Sequence, residues 1–245
     1  MIPFAVVVPA RIASTRLPEK PLLRETGKFL VQHAVERAAR APGVARVVVA
    51  TDDARIEAAV RSFGGEVVRT DPAHPSGTSR CAEVAAQLAE EVVVNVQGDE
   101  PTFEPADLTA LAAAAARPDV DIATLAHPVA PEDAARPSVV KVVLRADGTA
   151  LYFSRASIPF DRAKHRVADG ALAHVGIYAF RRTRLLDYVR LPEGMLAGLE
   201  SLEQLRALEA GWRIAVLPAT RPALGIDTPD DYRRFVELVR AGREA

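Results

Sequence analysis

An α/β fold with a doubly wound sheet is the expectation from three features of this sequence. Short apolar runs rich in β-branched residues recur at 4–10, 46–52 and 92–96, each of a length suited to a strand buried on both faces. Helix-length stretches with apolar residues at helical spacing lie between them, so the chain alternates βαβαβ, as parallel sheets require. Each run also ends in polar residues: Arg11, Thr51-Asp52, and Gln97-Gly-Asp-Glu100. Open parallel sheets gather their ligands at the carboxyl ends of the strands, so these polar residues are predicted to share one edge and one cleft.

The first strand leads into Arg11-Ile-Ala-Ser-Thr-Arg-Leu-Pro-Glu-Lys-Pro21. Three cations, Arg11, Arg16 and Lys20, stand on a loop that two prolines restrain, which suits a polyphosphate; a solvated basic loop is the alternative. Neither G-x-x-x-x-G-K-[ST] nor G-x-G-x-x-G is present, so side chains rather than a glycine nest must hold any phosphate. A helix is expected over 29–40, a strand over 46–52, a helix over 54–63 closed by Gly64-Gly65, and a short strand over 66–69. Asp52 either joins the ligand edge or caps the helix after it. Pro75-Ser-Gly-Thr-Ser-Arg80 precedes a helical run expected over 81–90. Ser76 and Thr78 read equally as caps, or with Gly77 and Arg80 as a helix start that holds a base or ribose. Cys81 is expected to be a small packed residue.

The strand at 92–96 delivers Gln97 and then, after Gly98, Asp99. A carboxylate there is a hard oxygen ligand for Mg²⁺ beside a triphosphate, or else part of an ordinary acidic turn. Beyond it come an alanine-rich helix over 105–116, strands over 121–128 and 139–144, a turn at Ala146-Asp-Gly148 and a strand over 150–154. Lys141 interrupts an apolar strand, as an edge gatekeeper or as a cleft lysine. A second irregular region follows Arg155. The strand over 173–180 carries His174, Gly176 and Tyr178 on one face by alternation; together they favour a small polar ligand, with a purely structural His and Tyr as the alternative. One helix is expected over 199–210 with Glu203 and Gln204 near its middle, then a strand over 212–218 and a last helix near Pro229. Asp227 is the N-cap of that helix or a second metal carboxylate facing Asp99 across the cleft.

Composition narrows the classes of function. A net charge of −1 leaves no basic footprint for nucleic acid or an anionic membrane, and an aromatic content of 5% leaves little for base stacking. A single cysteine excludes an internal disulfide and fits a reducing cytoplasm. The amino terminus has no cationic leader before its apolar run, and no segment nears 18 uninterrupted apolar residues.

The motifs together resemble one family. Val7-Val-Pro-Ala-Arg-Ile-Ala-Ser-Thr-Arg-Leu-Pro-Glu-Lys-Pro-Leu22, Ser76-Gly-Thr78, Asn95-Val-Gln-Gly-Asp-Glu-Pro101 and Val140-Lys-Val-Val143 look like the 3-deoxy-manno-octulosonate (Kdo) cytidylyltransferases, also called CMP-Kdo synthetases. Leu151-Tyr-Phe-Ser-Arg155, His174-Val-Gly-Ile-Tyr178, Leu202-Glu-Gln-Leu-Arg206 and Gly225-Ile-Asp-Thr-Pro229 extend the likeness over nearly the whole chain, in the same order. The resemblance implies a Rossmann-like, doubly wound mixed sheet of the nucleotide-diphospho-sugar transferase type. It implies one domain over 1–245, with about 139–180 forming a small sugar-binding and dimerisation lobe, and a cytoplasmic homodimer that feeds lipopolysaccharide assembly. The implied reaction is Mg²⁺-dependent transfer of CMP from CTP to the anomeric hydroxyl of Kdo, with diphosphate released.

Carried over by position, Ala10, Arg11, Ser14, Arg16 and Lys20 meet CTP, with Asp52, Ser76, Gly77, Arg80 and Gln97. Gln97, Arg155, His174, Tyr178, Glu203 and Gln204 line the sugar pocket, and Asp99 and Asp227 bind Mg²⁺. Arg16, Lys20 and Asp99 carry the chemistry. The chain departs from the family pattern at Glu19, where glycine is usual, at Ser79, where glutamate is usual, at Phe29, where proline is usual, and at Ala173, where some members carry arginine. A related acid sugar (8-amino-Kdo or a sialic acid), a nucleotidyltransferase for an unrelated phosphate acceptor, and a catalytically silent nucleotide-binding homologue are the rival readings.

Overall fold

The apolar runs fold as strands. The computed structural model describes residues 2–13 and 16–243. Its elements are β1 (Phe4–Pro9), α1 (Leu30–Ala38), β2 (Val44–Thr51), α2 (Ala54–Ser62), β3 (Glu66–Arg69), α3 (Gly77–Ala85), β4 (Val92–Asn95), α4 (Pro105–Ala115), β5 (Ile122–Pro128), β6 (Lys141–Leu144), β7 (Ala150–Ser154), β8 (Phe160–Asp161), β9 (Arg166–Val167), β10 (Leu172–Arg181), α5 (Arg182–Tyr188), α6 (Met195–Glu200), α7 (Leu205–Glu209), β11 (Ile214–Pro218) and α8 (Pro229–Arg240). The main sheet runs β11-β5-β10-β4-β1-β2-β3, with β6 paired to β10 and β7 to β6. Strands β4, β1, β2 and β3 are parallel, whereas β10 runs antiparallel to both β4 and β5, so the sheet is mixed.

Burial on both faces explains why β1 reads as an unbroken apolar run. Phe4, Val6 and Val8 belong to the core under α1 and α4, while Ala5 and Val7 belong to the core under α3 and α5. Strand β1 is also where the winding reverses: β2 and β3 lie to one side and β4 to the other. The crevice at such a reversal opens at the carboxyl ends of the two central strands, here between the loops after β1 and β4.

Four expectations need correction. α3 begins at Gly77 rather than Cys81 and ends at Ala85, because Ser76 and Ser79 cap it reciprocally: Ser76 Oγ accepts from Ser79 N at 3.2 Å, and Ser79 Oγ accepts from Ser76 N at 3.2 Å. Serine thus serves where glutamate is usual. The helix expected over 199–210 is two helices. Ser201 turns left-handed at φ 50° and ends α6, and residues 201–204 cross to α7 as a bend. α5 was not expected; its seven residues bury only Leu185 and Tyr188, too few to show a period. The β8–β9 hairpin lies in what reads as irregular loop. Among the described residues no helix is long and apolar enough to cross a membrane.

Candidate active site

A cleft of about 950 Å³ opens at the reversal, bordered by the loops after β1 and β4, the start of α3, the 201–204 bend and Asp227. At its cationic end a 3-10 turn, Lys20–Leu22, aims Lys20 inward. Lys20 Nζ donates to Asp99 Oδ2 at 2.6 Å, to the Ile226 carbonyl at 2.8 Å and to Asp227 Oδ1 at 3.2 Å. Arg16 pairs with Asp227 Oδ2 at 3.1 Å, and Arg11 stands exposed at the rim. Ser14 lies outside the described residues. Glu19, before the turn, holds φ 53°, the left-handed conformation that suits the glycine usual there.

Asp227 reaches Asp99 because the carboxyl-terminal segment is tied down. Ile226 N donates to the Asp99 carbonyl at 2.9 Å and Leu224 N to Thr102 Oγ1 at 2.7 Å, while Ile226, Tyr232 and Phe235 pack with Leu17 and Leu30. Thr228, not Asp227, caps α8, leaving the Asp227 carboxylate to face Lys20 and Arg16. No group of three or more His, Cys, Asp and Glu suited to a metal occurs among the described residues. Two carboxylates still fit Mg²⁺, which takes few protein ligands and completes its octahedron with water and phosphate oxygens. The Lys20 ammonium already shows that the space between Asp99 and Asp227 accepts a cation.

Glu100, which the sequence places at the ligand edge without a role of its own, follows Asp99 directly. Its carboxylate accepts the Gly176 N–H, and its other oxygen is buried without a partner. Burial, reinforced by Asp99 and Asp227, pushes its pKa up to about 8. Gly176 makes room for it, since a Cβ there would sit 3.2 Å from Glu100 Oε1.

At the α3 end, Ser76, Gly77 and Arg80 border the cleft with His74, which the sequence reading omitted. His74 Nε2 lies 2.5 Å from Glu83 Oε2. Asp52 does not reach the cleft. It pairs with the buried Arg80 at 3.3 Å, and Asp53 rather than Asp52 caps α2, accepting from Arg55 N at 2.8 Å. Arg80 Nη1 also donates to Thr70 Oγ1 at 2.5 Å. Gly98 packs against the end of β1, where a Cβ would meet the Pro9 carbonyl at 3.2 Å. Cys81 is fully buried and its thiol is pushed up by that burial, as a packed residue requires.

Arg155, Tyr178, Glu203 and Gln204 form a further wall of the cleft, and Gln97 stands beside Gly77. The Arg155 guanidinium is engaged by carbonyls of Glu200 at 2.7 Å, Pro137 at 3.0 Å and Ser201 at 3.2 Å, which leaves two of its five N–H donors for a ligand. Gln204 is 3% exposed with Nε2 unpartnered. His174 lies behind the wall: it shares a face with Tyr178, their rings 5.4 Å apart, but its ring packs against Phe153 at 4.9 Å and does not border the cleft. The Thr124 hydroxyl gives its one proton to the Val175 or Ile177 carbonyl, so His174 Nε2 donates to Thr124 Oγ1 at 3.0 Å. Desolvation lowers the His174 pKa to about 3 and keeps the ring neutral. Lys141 is neither gatekeeper nor cleft lysine. It is fully buried and donates to the carbonyls of Val139 at 2.6 Å, Arg155 at 2.8 Å and Arg136 at 3.0 Å, holding the chain around Arg155.

A doubly wound sheet whose switch-point cleft joins a cationic loop, two facing carboxylates and a polar, carboxylate-suited wall is the arrangement of a nucleotidyltransferase. The family model for cytidylyltransferases matches residues 5–214. A 3-deoxy-manno-octulosonate cytidylyltransferase of Anaeromyxobacter dehalogenans is 52% identical over 244 residues, covering 97% of this chain and 98% of the relative. One from Escherichia coli is 46% identical over 237 residues, covering 96% and 94%. The solved structure of a CMP:2-keto-3-deoxy-manno-octonic acid synthetase complexed with CTP superposes with a TM-score of 0.92 at 43% identity, covering 98% of this chain and 99% of that one. A Methanothermobacter nucleotidyl transferase, 20% identical with a TM-score of 0.64, shares the fold. The chain belongs to the 3-deoxy-manno-octulosonate cytidylyltransferase family.

Proposed function

We propose that this chain transfers CMP from CTP to the anomeric hydroxyl of Kdo, giving CMP-Kdo and diphosphate. The observation that carries the reading is the meeting of Lys20, Arg16, Asp99 and Asp227 at one end of a cleft whose other wall offers Arg155, Tyr178, Glu203 and Gln204. The sugar hydroxyl attacks the α-phosphorus and diphosphate leaves in line, so the protein acts chiefly by positioning the reactants and balancing charge. Ala10, Arg11, Arg16 and Lys20 hold the triphosphate. The start of α3, with Ser76, Gly77 and Arg80, receives the cytidine, and Asp52 acts by holding Arg80 in place. The free donors of Arg155 meet the sugar carboxylate, and the unpartnered Gln204 Nε2 meets a sugar oxygen.

Asp99 and Asp227 would hold Mg²⁺, which would supply charge neutralisation at the phosphates and lower the pKa of the attacking hydroxyl. The working form is a cytoplasmic homodimer whose interface draws on residues 139–180, a reading that the exposed Leu151 and Phe160 support. Diphosphate release from CTP, measured with and without Kdo and Mg²⁺, tests the whole reading. Release should require both, and no release with any acid sugar would overturn the enzymatic assignment.

A further inference from the structure

Glu203 and Gln97, both on the cleft, are joined by a chain of polar side chains of which the catalytic reading leaves Thr78 and Asn95 unused. Thr78, on the first turn of α3, donates its hydroxyl proton to Glu203 Oε1 on the 201–204 bend. Asn95, at the end of β4, donates from Nδ2 to Thr78 Oγ1 at 3.3 Å, and Gln97 Nε2 donates to Asn95 Oδ1 at 3.1 Å. Asn95 is 0% exposed and Thr78 1%, so water does not compete for these bonds.

The order of donors follows from the ends. A carboxylate only accepts, so the single Thr78 proton goes to Glu203, and Thr78 Oγ1 must then accept. That fixes the Asn95 amide with its nitrogen toward Thr78 and its oxygen toward Gln97. The Gln97 amide is fixed in turn: its nitrogen is held by Asn95, and Oε1 faces α3, 3.2 Å from where a Cβ on Gly77 would sit. We infer that Asn95 and Thr78 are positioning residues, which with Glu203 set the orientation of the Gln97 amide and present its oxygen as an acceptor to the nucleotide. The reference to the nucleotide rests on the cytidylyltransferase reading; the chain of bonds does not.

Thr78→Val keeps the shape of the side chain and removes the hydroxyl, and Thr78→Ser restores it. Nitrogen-15 spectra of the side-chain amides should show the Asn95 and Gln97 signals displaced in Thr78→Val and retained in Thr78→Ser. With CTP and Kdo, Thr78→Val should lose roughly tenfold in kcat/KM, the cost of about one hydrogen bond, with serine rescuing it. Unmoved Gln97 signals in Thr78→Val, or equal losses in valine and serine, would overturn the inference. The spectra need no turnover, so an inactive wild-type chain would sink the cytidylyltransferase reading while the chain of bonds is judged on its own.

Discussion

The cleft has two unlike ends. At the Lys20 end, which we propose holds the phosphates, charges meet in the open: Arg16 and Asp227 are about half exposed, and Lys20 bridges Asp99 and Asp227 near the buried Glu100. At the other end, which we propose receives the sugar, the groups are neutral or already bonded: Gln204 is buried, His174 is neutral behind the wall, and Arg155 is tied to three carbonyls. The first end is built to exchange partners. On the proposed reading, a cation shared between two carboxylates is free to turn to a phosphate when CTP enters. The second end is built to stay as it is, so that few groups reorganise when a sugar enters.

The largest expected effect breaks the exchangeable end. Lys20→Met removes a cation while keeping most of the aliphatic stem. It should lower kcat/KM by about 10²–10³, as a lost transition-state donor does. Circular dichroism should be unchanged, because two carboxylates next to Arg16 and solvent tolerate the loss. A fall of less than threefold would make Lys20 a structural lysine. At the fixed end Gln204→Leu is expected to raise KM for Kdo about tenfold and leave KM for CTP unchanged, since one sugar-facing donor is lost. Its thermal midpoint should hold or rise, because the buried Nε2 makes no bond in the free protein.

The two ends also differed in how far the sequence revealed them. The phosphate end follows from short-range rules: an apolar strand, a polar end and cations on a proline-restrained loop. Arg11, Arg16, Lys20 and Asp99 are placed by the reversal of winding at β1. Asp227 needed more, because its approach to Asp99 depends on packing of α8 residues against Leu17 and Leu30 from a distant part of the chain. The sugar end was read less well. The bend at 201–204 depends on a left-handed Ser201, and on Arg155 donors that hold the Glu200 and Ser201 carbonyls, neither of which leaves a periodic trace. Alternation places His174 on the face of Tyr178, as found, but its ring is taken up by Phe153, Tyr178 and Thr124 and does not border the cleft, which only the packing decides. Lys141 looked exposed by chemistry and is buried by three carbonyls that only the fold brings together.

A pH titration sharpens the contrast at His174. Its folded pKa is depressed to about 3 by desolvation, against an ordinary value of 6.5. Between these values the unfolded chain takes up a proton that the folded chain refuses, so stability falls as pH drops from about 6.5 towards 3. Above 6.5 both states are neutral and the site contributes no slope. His174→Gln, which keeps a donor for Thr124, should flatten the loss of thermal midpoint between pH 6.5 and 4.5 relative to wild type. An identical slope in the two proteins would mean that the imidazole reaches water.

The smallest effect lies in the loop that carries the phosphate cations. Glu19 holds φ 53°, where a side chain costs about 1–2 kcal/mol relative to glycine. Its ion pair with Arg55 joins two side chains more than half exposed, where solvent screening leaves it little net effect. Glu19→Gly relieves the backbone, loses the pair and adds roughly 0.4–1 kcal/mol of unfolded-state entropy. These changes nearly cancel, so its midpoint should stay close to wild type. Glu19→Ala also loses the pair but keeps the strained backbone, and should be less stable than Glu19→Gly by about 1 kcal/mol in denaturant unfolding. The difference between the two variants therefore isolates the backbone from the charge. Equal stabilities would mean that residue 19 leaves the left-handed region in solution, and that Lys20 is aimed at Asp99 by its side-chain bonds rather than by the turn before it.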